Sequence, residues 1–161
     1  MKKIILDACC GGRHFWFNKK HPNVLYVDNR VRQKGHNWHR KNHSVLPDKI
    51  VDFRDMPFKD NSFKVVVFDP PHIIGSESGV INKQYGWLEK DSWREDIKKG
   101  LAECFRVLKK EGIMIFKWNE CRIPLKEILK LTPYHPLFGH KSGKQQLTHW
   151  LCFMKLLNNK G

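Results

Sequence analysis

The sequence is short of acids, of paired cysteines and of long apolar runs. Sixteen Asp and Glu face thirty Lys and Arg, a formal net charge of +14 and an isoelectric point near 9.7. Such a balance disfavours a cationic partner and suits a polyanion, although net charge speaks to partners rather than to fold. The five cysteines (Cys9, Cys10, Cys104, Cys121, Cys152) are odd in number and show no CxxC spacing. A disulfide framework is therefore not expected, and reduced thiols in a reducing compartment are. No apolar run approaches the roughly 20 residues that cross a bilayer. At the N-terminus Asp7 follows at once on Ile4-Ile5-Leu6, too short an apolar stretch for a signal peptide, so a cytoplasmic location is expected. Internal repeats and low-complexity tracts are also missing. With 161 residues and 40% hydrophobic content, residues 1–161 read as one globular domain.

Short apolar runs punctuate the chain. Residues 3–8 form a candidate buried strand leading into a Gly-containing turn from Cys9 to Arg13, and Val24 to Val27 a second strand ending at Asp28. Lys49 to Asp52 reads as a third, and Lys64 to Phe68 as the clearest strand, ending at Asp69-Pro70-Pro71. Trp93, Ile97, Leu101, Cys104, Phe105 and Leu108 recur at three- and four-residue steps, the period of an amphipathic helix. Lys109-Lys110 and Gly112 fit that helix's C-terminus, and Ile113 to Phe116 a fifth strand. Leu137-Phe138-Gly139 and His149 to Met154 give a terminal strand pair around a turn with Lys and Gly. Parallel crossovers with an antiparallel edge follow: an α/β fold with a single doubly wound, mostly parallel seven-stranded sheet and an antiparallel C-terminal pair.

In such a sheet ligands sit beyond the carboxyl ends of the strands, where strand order reverses. Asp7, Asp28, Asp52 and Asp69 all fall at or just past predicted strand ends. Asp28 lies about 20 residues after Asp7, the spacing from a first nucleotide-binding turn to the acid that binds ribose hydroxyls. The turn Asp7-Ala8-Cys9-Cys10-Gly11-Gly12 lacks the GxGxxG pattern, however, and a carboxylate at Asp7 would repel a pyrophosphate. A ligand with a ribose and an ammonium group but no phosphate suits it better, and S-adenosylmethionine has those features.

Four stretches then carry a family resemblance. Asp7-Ala8-Cys9-Cys10-Gly11-Gly12 resembles the first motif of class I S-adenosylmethionine-dependent methyltransferases. Asp52-Phe53-Arg54-Asp55-Met56-Pro57-Phe58 is similar to their third-strand motif. Asp69-Pro70-Pro71-His72 resembles the (Asp/Asn)-Pro-Pro-aromatic motif of amino-methyltransferases, and Phe105 to Gly112 the "RVLKPGG" turn before the fifth strand. The resemblance implies a Rossmann-like methyltransferase fold and S-adenosylmethionine as cofactor. It puts Asp7 and Gly11 at the methionine end, Asp28 at the ribose, and Asp52 with the Phe53 amide at the adenine, with Ala8 and Cys9 also cofactor-binding. Asp69, Pro70, Pro71 and His72 become the catalytic residues, acting on an exocyclic amine of a nucleic-acid base, with adenine N6 or cytosine N4 in DNA favoured over an RNA base or a protein glutamine. A non-catalytic nucleic-acid-binding module of the same fold is the competing reading.

The Asp-Pro-Pro-His chemistry can be derived from the residues. An aromatic amine is a weak nucleophile because its lone pair is delocalised. A carboxylate (Asp69) and a backbone carbonyl (Pro70) accepting its two N–H groups favour the tetrahedral geometry of attack. Two prolines fix the loop and contribute no N–H donors, so it presents acceptors only. His72 stands where the pattern has Tyr, Phe or Trp, and stacks over a smaller area. The segment from Ile73 to Asp91, with Gly75, Gly79, Gly86, Ser76 and Ser78, reads as a long binding loop with Tyr85, Trp87 and Trp93 as stacking surface.

Basic loops 30–43 (Arg30, Arg32, Lys34, Arg40, Lys41, with Trp38) and 140–144 (His140, Lys141, Lys144) suit phosphate contacts, and nucleic acid is the expected partner. His36, His39 and His43 form an H-x2-H-x3-H run without the fourth ligand of a zinc site, so no metal is expected. A separate target-recognition region is not expected after the Asp-Pro-Pro-His motif, only the remaining sheet elements and the 73–91 loop. Specificity is expected from loops, from substrate shape or from a partner chain.

Overall fold

A computed structural model of the chain describes residues 2–75 and 79–156, apart from the side chain of Trp38. Seven strands form one sheet: β1 (Ile5–Asp7), β2 (Val24–Asp28), β3 (Lys49–Ile50), β4 (Phe63–Phe68), β5 (Leu108–Asn119), β6 (Phe138–Ser142) and β7 (Thr148–Met154). Their order is β3-β2-β1-β4-β5-β7-β6. The first five run parallel, with Leu6 paired to Leu25 on one side and to Val66 on the other. β7 is antiparallel to both β5 and β6. Strand order reverses at β1, which has β2 on one side and β4 on the other, so the crevice expected to hold a ligand opens beyond Asp7.

The three helices of the described residues all follow β4: α1 (Val80–Tyr85), α2 (Trp93–Val107) and α3 (Leu125–Leu129). α2 lays Ile97, Leu101, Cys104 and Phe105 on the sheet, and Ile128 of α3 joins the same core. The strands supply Leu6, Val66, Phe68, Met114, Phe116, Trp118, Leu151 and Phe153, all deeply buried. Gly100 lets α2 come this close, because a Cβ there would stand 2.8 Å from the Phe68 ring and 2.6 Å from that of Phe53. The opposite face carries a second, smaller apolar cluster. It is covered in part by the irregular β1–β2 connection, where Trp16 packs edge-on against Tyr26 with ring centroids 5.3 Å apart beside Cys10 and Val24. The first three crossovers are thus irregular chain, with one 3-10 turn at Trp38–Arg40.

The structure departs from two sequence expectations. α2 stops at Val107, and Leu108 is already extended (φ −73°, ψ 134°). The basic and glycine signals at 109–112 mark an irregularity in β5, between the Phe63–Leu108 and Val65–Ile113 pairs, and not a helix end. Glu111 takes φ +60° in that bulge, a conformation that favours glycine. The 73–91 segment is not an unstructured loop either: it carries α1 and an Ile74–Leu88 bridge, and Trp93 is buried in the core rather than free to stack. Ser76 and Ser78 lie outside the described residues. No described helix is long and apolar enough to cross a membrane.

Candidate cofactor and acceptor site

The turn after β1 continues the sheet by backbone bonds alone, Ala8 N–H to Val67 O and Cys10 N–H to Val27 O (both 2.9 Å). Gly11 then takes φ +47°, which turns its N–H toward the Asp28 carboxylate at 3.0 Å. A side chain would find open space there, so conformation and not crowding selects glycine. Asp7, at the end of β1, is fully buried. The Trp16 indole N–H donates to its Oδ2 at 2.7 Å, while its Oδ1 is buried without a partner. Burial pushes this carboxyl up to about 7, with a smaller contribution from Asp69 and Asp28, and the Trp16 bond opposes the shift. The neighbouring thiols are pushed up by burial too, Cys10 to about 12, so neither is a thiolate nucleophile at neutral pH. All five cysteines are free.

Asp28 closes β2. Besides the Gly11 N–H it accepts Arg30 twice through the guanidinium, Nε at 2.9 Å and Nη2 at 3.1 Å. Arg30 Nη1 remains buried with no partner. Asp52, two residues past β3, is held by Arg54 (2.6 and 2.9 Å), whose hydrogen bonds keep that carboxyl below its ordinary value. Arg54 also reaches Asp96 on α2 at 3.0 Å. The turn after it is pinned to the same helix: Glu103 accepts the Met56 N–H at 2.7 Å, and Arg106 donates to the carbonyls of Met56 (2.8 Å) and Phe58 (2.6 Å). The arginine of the Arg106-Val107-Leu108 stretch is therefore a structural tie to the third-strand motif.

Asp69 follows β4 directly. One register step past the Phe68–Phe116 pair, Lys117 of β5 donates from Nζ to Asp69 Oδ2 at 2.7 Å. Pro70 is buried and Pro71 half-buried. His72 is half-buried, its ring edge-on to Trp118 with centroids 6.3 Å apart. Burial lowers its pKa, so the imidazole is neutral at pH 7.

These groups share one cavity of about 750 Å³. Ala8, Cys9, Gly11, Asp28 and Phe53 line one part; Asp69, Pro70, Pro71 and His72 line another. Of the sequence-predicted site residues, Asp7 and Asp52 stand off the wall. Asp7 lies behind the turn, and Asp52 faces a separate shallow groove with Arg54 and Lys99. Sequence reasoning missed Lys117, His14, Phe15, Arg54 and Asp96, all of which line the cavity. Lys117 carried a signal, a lone cation between Phe116 and Trp118 in an apolar strand; the others had none.

Arg30 and Arg32 of the first basic loop also line the cavity, as do Tyr85 and Trp87 after α1 and Gln145 of the β6–β7 turn. Lys34, Arg40, Lys41, His140, Lys141 and Lys144 are exposed. Of the histidine run, His36 and His43 come together with ring centroids 5.3 Å apart, and His14 stacks on His43 at 5.3 Å; His39 is exposed. Burial drives His43 down to about 4, so this cluster is uncharged at its centre. Among the described residues no three His, Cys, Asp or Glu side chains are arranged to hold a metal ion.

The fold is that of class I methyltransferases. A TehB-like S-adenosylmethionine-dependent methyltransferase from Corynebacterium glutamicum superposes with TM-score 0.57 at 16% identity, over 96% of this chain and 82% of that one. A methyltransferase from Methanosarcina mazei gives TM-score 0.57 at 12% identity, over 98% and 95%. A third similar structure is the Burkholderia thailandensis 1,6-didemethyltoxoflavin-N1-methyltransferase, solved with 1,6-didemethyltoxoflavin and S-adenosylhomocysteine: TM-score 0.55, 14% identity, 96% and 72% covered. No family profile matches the sequence, and no curated protein matches it either.

Proposed function

We propose that the chain is an S-adenosylmethionine-dependent N-methyltransferase acting on an exocyclic amine of a nucleic-acid base, with adenine N6 or cytosine N4 in DNA favoured. The observation that carries this reading is the single cavity joining the Gly11 turn and Asp28 to Asp69-Pro70-Pro71-His72 across the point where strand order reverses. The cofactor fits what is present. The Asp28 carboxylate and the Gly11 turn line the cavity, and the turn lacks the GxGxxG pattern of a pyrophosphate-binding loop. Asp28 and Phe53 would hold the nucleoside part.

S-adenosylmethionine supplies an electrophilic methyl group when bound. The chain's residues act on the acceptor. Asp69 and the Pro70 carbonyl accept the amine's N–H groups and stabilise positive charge as the nitrogen attacks. With the cofactor bound, its methyl group would pass from sulfur to the amine nitrogen, and the partly exposed Asp69 carboxylate would take the nitrogen's surplus proton. The neutral His72 ring offers a face to the base. Phosphate contacts come from the exposed basic loops 30–43 and 140–144, with Arg30 and Arg32 at the cavity itself.

Asp69→Ala tests this. Methyl transfer to nucleic acid should fall roughly 100- to 1,000-fold, on the scale of losing one transition-state hydrogen-bonding partner, with cofactor affinity by calorimetry within a few-fold of the parent. Full activity in the variant refutes the assigned role.

A further inference from the structure

An ammonium beside the carboxylate that receives the amine is chemically unexpected. Positive charge develops on the nitrogen during transfer, and a cation bonded to the same carboxylate opposes it. Yet Lys117 Nζ lies 2.7 Å from Asp69 Oδ2, the two side chains 26% and 20% exposed, and both line the cavity. Among the described residues Asp69 is its one hydrogen-bond partner, and two of its three N–H groups have no partner there. The Phe15 and Trp150 rings lie 5.9 and 5.6 Å from Nζ and keep its surroundings largely apolar.

We infer that Lys117 determines specificity by donating to the ring nitrogen next to the exocyclic amine. Asp69 and Lys117 set an acceptor and a donor side by side. The amidine edge of adenine (N6–H with N1) or of cytosine (N4–H with N3) presents the complementary donor and acceptor side by side. A simple alkylamine has no acceptor there and leaves the ammonium unsatisfied, which costs the complex a desolvated charge. This inference rests on the proposed methyltransferase reading and narrows its substrate to an amine conjugated to an adjacent acceptor. Lys117 acts on recognition, and Asp69 on the reacting nitrogen.

The test is a double-mutant cycle between protein and substrate. Transfer from S-adenosylmethionine is measured for the parent protein and Lys117→Met, on single-stranded oligonucleotides whose acceptor base is adenine or 1-deazaadenine, or cytosine or 3-deazacytosine. The parent should lose roughly 10- to 100-fold in kcat/KM on the deaza base, the size of one good hydrogen bond in base discrimination. Lys117→Met should lose a similar factor on the natural base and show no further loss on the deaza base. Lys117→Arg keeps the charge but not the compact donor; if it recovered full activity with the deaza penalty gone, charge compensation of Asp69 would be the whole role and the inference would fail. The inference also fails if the two losses multiply, or if the parent treats both bases alike; since the parent comparison needs no substitution, misfolding of a variant leaves it decisive. Label that enters only protein or small molecules overturns the base reading along with this one, whereas label in a base with multiplying losses overturns this one alone.

Discussion

The ends of β1 and β4 are neighbours in the sheet and both terminate in an aspartate, but their chemical settings are opposite. Asp69 is partly exposed, bonded to an ammonium, and set in a loop of two prolines. Asp7 is completely buried and makes no salt bridge among the described residues, with the Trp16 indole N–H donating to its Oδ2. Asp28 and Asp52 side with Asp69, each clasped by an arginine two residues on. Of four strand-end acids, three are compensated inside the chain and one is not. The difference is one of setting: three acids are clasped by cations of the chain, whereas burial raises the Asp7 pKa to about 7 and its carboxyl lies behind the turn.

The largest effect that would break this contrast is at Asp69, where loss of the carboxylate should cost two to three orders of magnitude in transfer. Next comes Asp7→Asn, read by denaturation across pH. The folded-state pKa of Asp7 is raised from 3.8 to about 7, so the parent is fully favoured below pH 3.8 and loses stability as pH rises toward 7. By pH 8 the asparagine variant should be the more stable by roughly 3–4 kcal/mol, with no gain at pH 4. Equal stabilities at both pH values would mean that Asp7 is solvated or paired after all. Gly11→Ala comes third. With space for the methyl but φ at +47°, it should cost about 1–2 kcal/mol in stability and weaken cofactor binding by distorting the N–H that meets Asp28. The smallest effect is expected far from both strand ends: Glu111→Gly, relieving φ +60° in the β5 bulge, should stabilise by about 0.5–1 kcal/mol in thermal denaturation without changing transfer.

Much of this architecture was legible because buried strands and strand-end acids are local signals. Val24 to Asp28 and Lys64 to Phe68 announce themselves by composition, and Asp-Pro-Pro-His by chemistry. Partners across the sheet are not local. Nothing near Asp69 points to Lys117, 48 residues on, which meets it only through the β4–β5 register. Arg30 reads as a phosphate-binding loop residue and Arg54 only as part of a motif, although each holds an acid at a strand end. The 109–112 stretch misled because lysines and a glycine serve a bulge as well as a helix terminus, and only pairing with Phe63 decides between them. Asp7 and Asp52 stand at the expected strand ends but off the cavity wall, because side-chain direction depends on the turn that follows.

The most direct measurement is methyl transfer from radiolabelled S-adenosylmethionine to duplex DNA, single-stranded DNA, RNA and protein offered side by side, with nucleoside analysis of the labelled pool. The expected result is label on an exocyclic amine of a base in a nucleic-acid pool, lost in Asp69→Ala. Label confined to protein, to a ring carbon or to ribose would contradict it.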